Sequence, residues 1–321
     1  MNLIGLRCLV QIVDANLSIT AASEALHLSQ PCVSRHLKQV EDALGFRVFA
    51  RRGRSLTDVT HAGLQAIEVA RRVVRDVDGL RSFAANARGE LAGEIAIAAP
   101  QTYALYVLPP LLGRLRELYP GLSLSLLTLG EGERVRPTEH CRCDIVLVST
   151  AGHEAPPDGN VVPLFRWRRK VIVPREHPLA RQRTPVTLQQ LAACPLITYE
   201  ASRRPGSSLR RVFAAAGLQP NFSCSAHDTD TLKAYARAGL GVGLVAELSL
   251  GPADRRQFAV LAVDPAVPDC TAWAFLPEGR VMRDPTLDLV RMLAPQIDAG
   301  DLRGASRGLP PLQWPLPPLR H

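Results

Sequence analysis

The stretch TAASEALHLSQPCVSRHLKQVEDALG, Thr20 to Gly45, constrains the chain more than any other. It holds two apolar helical patterns separated by only a few residues. Ser18 is placed to cap the first helix, whose apolar positions are Ala21, Ala22, Ala25 and Leu26. Leu28 falls in the turn. Ser29 then stands at the N-cap of the second helix, with Pro31 in its first turn, where a missing N–H is harmless. Val33, Leu37, Val40 and Leu44 recur at helical spacing and must face inward, and Gly45 provides the C-cap. Gln30, Ser34, Arg35 and Lys38 are thereby turned outward. Upstream, Leu3, Leu6, Val10 and Val13 mark another helix with one buried stripe.

Two helices on a short turn, the second presenting short polar and basic groups from its N-terminal half, describe a helix-turn-helix. Such a helix fits the major groove of double-stranded DNA. The pattern alone is shared with any small helical bundle. The stretch after Gly45 separates the two. FRVFARRGRSLTDVTHAG alternates apolar residues around a basic tip that holds Arg47, Arg51, Arg52 and Arg54. A basic hairpin beside a helix-turn-helix is a wing, and wings meet phosphates or the minor groove. Ser29, Gln30, Ser34, Arg35, Lys38, Arg51 and Arg54 are the DNA-contact candidates. His36 lies on the same helix, with a packed or solvated role as the alternative.

ITAASEALHLSQPCVSRHLKQVEDALGFRVFARRGRSLTDVTHAG resembles the DNA-binding domain of LysR-type transcriptional regulators. The S-Q-P-x-V-S run, the D-A-L-G ending, the F-x-R and the late T-x-x-G carry the resemblance, which covers about the first sixty residues without a gap.

From 61 to 88 the chain has no proline. Ala66, Ala70, Val73, Val77, Leu80, Ala84 and Ala87 alternate steps of four and three, the spacing of a heptad seam. The resemblance implies a linker helix paired with that of a second subunit; packing on its own domain is the alternative. Two winged helices would read an imperfect inverted repeat. The family implies a homodimer or homotetramer, with RNA polymerase as a candidate partner.

Beyond residue 90 strands and helices alternate: strands at 93–99, in GLSLSLLTLG, CDIVLVS, RKVIVP, CPLITY, NFSCSA and GLGVGLVAE, and near 258–262 and 271–276. Helices are expected at 103–119, 206–216, 229–238 and 284–294. This alternation is an α/β pattern with a mostly parallel sheet. The organisation that the resemblance implies is an all-α winged helix-turn-helix domain (1–60), a linker helix (61–90), an effector domain of two α/β lobes like type 2 periplasmic binding proteins (91–298), and a proline-rich tail (299–321). The tail, GASRGLPPLQWPLPPLRH, reads as disordered or polyproline II chain outside the fold, with a recognition segment as the alternative.

HDTDTLKAYARAGLGVGLVAE, HPL with VTLQQLAACPLITY, and LRELYP are similar to the CysB-like, sulfur-assimilation branch of the family. That likeness implies a small anionic effector such as sulfate, a sulfur compound or acetylserine. It places the ligand at Pro100, Gln101, Thr102, Tyr103, Ser149, Thr198 and Arg204. Pro100 and Tyr103 stand where the branch has threonine and glutamine, and Arg204 where it has threonine. These departures leave the ligand's identity open more than its anionic character. A LysR-type regulator of an unrelated pathway with a carboxylate effector is the nearest alternative. A cytosolic solute-binding protein is another, opposed by the winged helix.

A net charge of +8 suits polyanionic partners. Seven scattered cysteines, with one C-x-C at Cys141 and Cys143, read as thiols of a cytoplasmic protein and not as a disulfide framework or metal site. The N-terminal residues read as an amphipathic helix and not a signal peptide. No apolar run is long enough to span a membrane. Gly239, Gly241 and Gly243 sit at a helix-to-strand turn and lack the context of a nucleotide fingerprint. No catalytic motif is present, so neither an enzyme nor a cofactor is expected.

Overall fold

The computed structural model describes residues 1–53, 55–88, 93–130, 143–156, 160–276, 281–306, 309 and 314–320. The chain divides into two compact units, the first of residues 1–89 with 279–282, the second of the remainder.

In the first unit α1 (Leu3–Asp14), α2 (Ile19–Leu26) and α3 (Gln30–Leu44) are followed by the hairpin β1 (Phe49–Arg52) and β2 (Ser55–Val59) and by α4 (His61–Ala87). Asn2 caps α1 and Ser18 caps α2, each through its side chain. Ser29 holds the N-cap position of α3 but makes no capping bond, so its hydroxyl is left for other use. Gly45 closes α3 in the left-handed region, at φ 78°. The core joins Leu6, Leu9 and Ile12 of α1 to Val33, Leu37 and Val40 of α3. The buried stripe of α1 is thus rotated from the expected Leu3, Leu6, Val10, Val13, and on α2 Ala22 is buried while Ala21 and Ala25 are exposed. Gly63 runs against the backbone of the hairpin: a Cβ there would lie 2.2 Å from the Val48 carbonyl oxygen. Thr60 fixes the same corner, accepting from Gly63 N–H at 2.9 Å and donating to the Arg47 carbonyl at 2.8 Å.

The first half of α4 packs on its own domain, which corrects the expected seam. Ala70 is buried against α1 together with Ile67, Ala66 and Val74 are partly buried there, and Asp14–Arg71 (2.5 Å) and Arg7–Asp78 pairs tie the two helices. Residues three and four apart on one helix share a face, so Ile67, Ala70 and Val74 cannot also face a second chain. Among the described side chains of α4, the large apolar ones left exposed are Leu64, Val69, Val73, Leu80 and Phe83. The side chain of Ala87 lies outside the described residues.

The second unit has two lobes. In lobe 1, β3 (Gly93–Pro100), α5 (Gln101–Tyr106), α6 (Leu108–Leu118), β4 (Leu122–Leu129), β5 (Ile145–Ala151) and β6 (Val161–Trp167) come first. The chain then crosses to lobe 2: β7 (Arg169–Pro174), α7 (Leu188–Ala192), β8 (Pro195–Tyr199), α8 (Glu200–Arg203), α9 (Ser208–Ala215), β9 (Asn221–Ala226), α10 (Thr229–Arg237), β10 (Val242–Ala246), α11 (Pro252–Gln257) and β11 (Phe258–Ala262). It returns to lobe 1 with β12 (Cys270–Phe275), α12 (Asp284–Leu293) and α13 (Ala299–Ser306). The lobe 1 sheet is ordered β4-β3-β5-β12-β6 and the lobe 2 sheet β11-β7-β10-β8-β9. Each has a parallel centre, around β3 in one and β8 in the other, and antiparallel strands where the chain crosses. Ligands of such sheets meet strand C-termini and helix N-termini.

The single helix expected over 103–119 is broken at Val107 into α5 and α6, with proline in the first turn of α6. Proline cannot donate the helical hydrogen bond, so the axis restarts where it needs none. The tail also differs from expectation. Residues 299–306 are helical, and Leu319 bridges Arg166 at the outer edge of β6. Cys8, Cys32, Cys194 and Cys224 are free thiols. Cys143 is disulfide-bonded, which departs from the all-thiol reading; Cys141 lies outside the described residues. No helix among the described residues is long and apolar enough to cross a membrane.

Candidate DNA-reading face and effector cleft

Ser29, Gln30, Ser34, Arg35 and Lys38 are all exposed, on and just before the N-terminal half of α3. Their outward direction follows from the buried Val33, Leu37 and Val40 on the opposite face. The hairpin is braced from below by Glu41, only 2% exposed. Its carboxylate accepts from the N–H groups of Val48 (2.9 Å) and Phe49 (3.3 Å) and pairs with Arg47 (2.8 Å) and Arg51 (3.2 Å). Burial pushes this carboxyl up, but the bonds from Arg47, Phe49 and Val48 and the charge of Arg51 outweigh it and hold the group below the usual range. Arg51 therefore shares its charge between this brace and solvent. Arg54, the other wing candidate, lies outside the described residues.

In the second unit β3 delivers the chain into α5 at Pro100, and Gln101 begins the helix. Thr102 is 1% exposed. Its hydroxyl meets that of Thr229, the first residue of α10 in lobe 2, at 3.2 Å. Thr229 is bonded in turn to the Tyr199 hydroxyl at 2.6 Å, which accepts from the Ala246 N–H at 3.2 Å. Asp228 caps α10 through Thr231 N–H. The N-termini of α5 and α10 thus converge from opposite lobes on one hydroxyl pair, and such termini are electropositive.

Beside this pair Tyr106 of α5 reaches lobe 2. Its hydroxyl donates to Asp230 and accepts from Lys233 Nζ at 3.1 Å. Burial, then the bond to Asp230, pushes the Tyr106 hydroxyl far above the ordinary tyrosine range. Lys233 is 5% exposed and also bonds Asp254 at 3.0 Å and the Ser249 carbonyl.

Tyr103 points the other way. It is fully buried, bonded to Ser149 and accepting from Trp167 Nε1 at 2.9 Å, with its ring edge-on to Phe165 at 5.5 Å. Of the ligand candidates the structure joins Tyr103 to Ser149 within lobe 1 and Thr102 to Thr229 across the lobes. Thr198 is buried in β8, and Arg204 is exposed at the end of α8. Neither is hydrogen-bonded to Thr102 among the described residues. Thr229, Tyr199, Tyr106 and Lys233 escape a reading by sequence. The only signal for Thr229 is the D-T-D-T run, an N-cap followed by a hydroxyl at the first helical position. Lys233 has no signal at all. Among the described residues no His, Cys, Asp and Glu group could hold a metal.

A winged helix-turn-helix joined to a two-lobed domain that closes on two helix N-termini defines a ligand-responsive DNA-binding regulator. Residues 3–64 match the bacterial regulatory helix-turn-helix protein model of the lysR family, and residues 88–298 match the LysR substrate binding domain. The chain belongs to the LysR family of transcriptional regulators, not of enzymes. It is 30% identical over 308 residues to the HTH-type transcriptional regulator CysB of Burkholderia cenocepacia, covering 96% of this chain and 98% of that one. The cofactor-binding domain of the Cbl transcriptional regulator has a TM-score of 0.57 at 31% identity, over 66% of this chain and 92% of that one. A full-length OxyR variant from Pseudomonas aeruginosa has a TM-score of 0.64 at 22% identity, over 91% and 95% of the two chains, and shows the fold alone.

Proposed function

We propose that this regulator controls genes of sulfur metabolism (cysteine, sulfate or sulfonate) in response to a small anion held between α5 and α10. The meeting of Thr102 and Thr229 at two converging helix N-termini carries the reading: hydroxyls and first-turn amides together are an anion site. Likeness to CysB and Cbl supports the sulfur branch. Sulfate, another sulfur compound or acetylserine are the candidate effectors. Pro100, Gln101, Thr102, Tyr103 and Ser149 supply the lobe 1 wall, and Thr198 and Arg204 supply lobe 2.

Within residues 1–60 of the first unit, Ser29, Gln30, Ser34, Arg35 and Lys38 contact one half of an imperfect inverted repeat, with Arg51 and Arg54 on the flanking phosphates. Residues 61–90 pair with a second copy through Val69, Val73, Leu80 and Phe83, an apolar stripe left exposed in the single chain. The assembly is a homodimer or homotetramer working in the cytoplasm, with RNA polymerase as a further partner. A carboxylate effector from an unrelated pathway is the second reading. It is favoured by Tyr103, which stands where the CysB-like branch has glutamine and turns its hydroxyl to Ser149 and Trp167.

A thermal-shift screen of the full chain tests both, because a ligand of the folded state alone raises the melting temperature. Sulfate, thiosulfate, sulfonates and acetylserine are run beside simple mono- and dicarboxylates. A dose-dependent rise with one of the sulfur compounds or acetylserine is expected. A rise with carboxylates only would replace the sulfur reading by the second.

A further inference from the structure

Among the described residues β6 is the outermost strand of its sheet, and one side of it has no neighbouring strand of the lobe. Arg166 turns both backbone groups to that side. Its N–H donates to the Pro318 carbonyl at 2.8 Å, and its carbonyl accepts from Arg320 N–H at 2.8 Å. These two bonds flank Leu319, the pattern of a parallel ladder. The Arg166 side chain adds a third, from Nε to the Pro317 carbonyl at 3.0 Å. Arg320 lays its guanidinium over the Phe165 ring, 5.2 Å from the centroid. Pro317 is buried by the contact.

We propose that the outer edge of β6 is a docking edge for an extended proline-rich segment, and that residues 314–320 of the same chain fill it as a strap. The chemistry on each side fits the other. Prolines hold the segment extended and offer carbonyls without N–H groups, and Arg166 meets them with a backbone donor and a side-chain donor. Arg320 then closes the ladder with the N–H that the prolines lack. Addition of an extended peptide to a sheet edge is a general recognition mode, and prolines on the added strand discourage a further one. Burial lowers the Arg320 pKa, which marks the guanidinium as withdrawn from water onto the ring.

The strap lies close to the cleft. Phe165, under Arg320, packs on Tyr103, and Trp167 at the end of β6 donates to the Tyr103 hydroxyl. The strand that the strap covers is therefore the one that positions α5.

Hydrogen exchange read by mass spectrometry on three full-assembly samples tests this: the intact chain, Arg320→Pro, and a chain ending at Ser306. Arg320→Pro removes both the N–H donor and the guanidinium without touching the lobe. Exchange at Arg166 is expected to be at least tenfold faster in both variants, with β3 unchanged as the check on folding. A peptide of residues 314–320 added in excess to the shortened chain should slow it again. Equal exchange at Arg166 in the intact chain and in Arg320→Pro would overturn the proposal. Exchange in the intact chain that quickens tenfold on dilution would also overturn it, by assigning the edge to the tail of a second copy.

Discussion

The hydroxyls of Thr102 and Thr229 stand 3.2 Å apart across the two lobes, and each residue is nearly sealed from water. Thr229 keeps a second partner in Tyr199 at 2.6 Å. Removing the Thr102 hydroxyl therefore strands no buried group. Thr102→Val should change unfolding free energy by no more than about 1 kcal/mol, the usual net worth of one hydrogen bond. Denaturant melts of the full chain measure this. A loss of several kcal/mol would show that the pair is a folding element first.

Lys233 should behave oppositely. Its ammonium is buried among Asp254, the Ser249 carbonyl and the Tyr106 hydroxyl. Lys233→Met leaves a partly buried carboxylate without its cation, at a cost of about 3 kcal/mol for breaking a buried pair. The same melts should show a lowered midpoint. An unchanged midpoint would mean that water replaces the ammonium.

Glu41 sets a pH dependence for the DNA-binding unit. Its folded pKa is below the unfolded value, so its stabilisation is fully present above the ordinary carboxylate range and is lost as pH falls through the depressed folded value. From pH 7 downward into that range, the first unit should lose more stability in the wild type than in Glu41→Gln. Parallel pH curves for the two proteins would remove Glu41 from this role.

On DNA, Arg35→Ala should cost roughly 1–3 kcal/mol on the operator and relax preference at one base pair. Competition binding against random DNA separates base reading from phosphate contact. Equal losses on both would make Arg35 a phosphate ligand.

The exposed stripe of α4 sets the assembly. Leu80 is 66% exposed in the single chain, so Leu80→Asp disturbs nothing inside the unit. If the stripe joins two copies, sedimentation should show a smaller species with unchanged helix content. Wild-type mass would place the interface elsewhere.

Much of the fold is legible in the sequence because its signals are local. Ser18, Pro31, Gly45 and the arginines of the hairpin each sit within one turn of the feature they specify. The same holds for the strand at 258–262, which the structure places at Phe258–Ala262. Strand β6 is not legible, because Pro163 lies within it and its register is set by β12, more than a hundred residues on. The tail reads as chain outside the fold because its partner is one arginine in a distant strand. Thr102 is found by resemblance, yet Thr229 is not, since a contact across 127 residues leaves no spacing to read. The heptad on α4 holds two stripes in one, and only packing on α1 assigns Ala66 and Ala70 inward.

Calorimetric titration of the full chain with the best ligand of the screen, beside Thr102→Val, tests the central claim most directly. A hydroxyl bond to a charged group contributes roughly 1.5–3 kcal/mol, so the variant should bind about tenfold or more weakly while melting like the wild type. Equal affinity in the two proteins would contradict an anion site between α5 and α10.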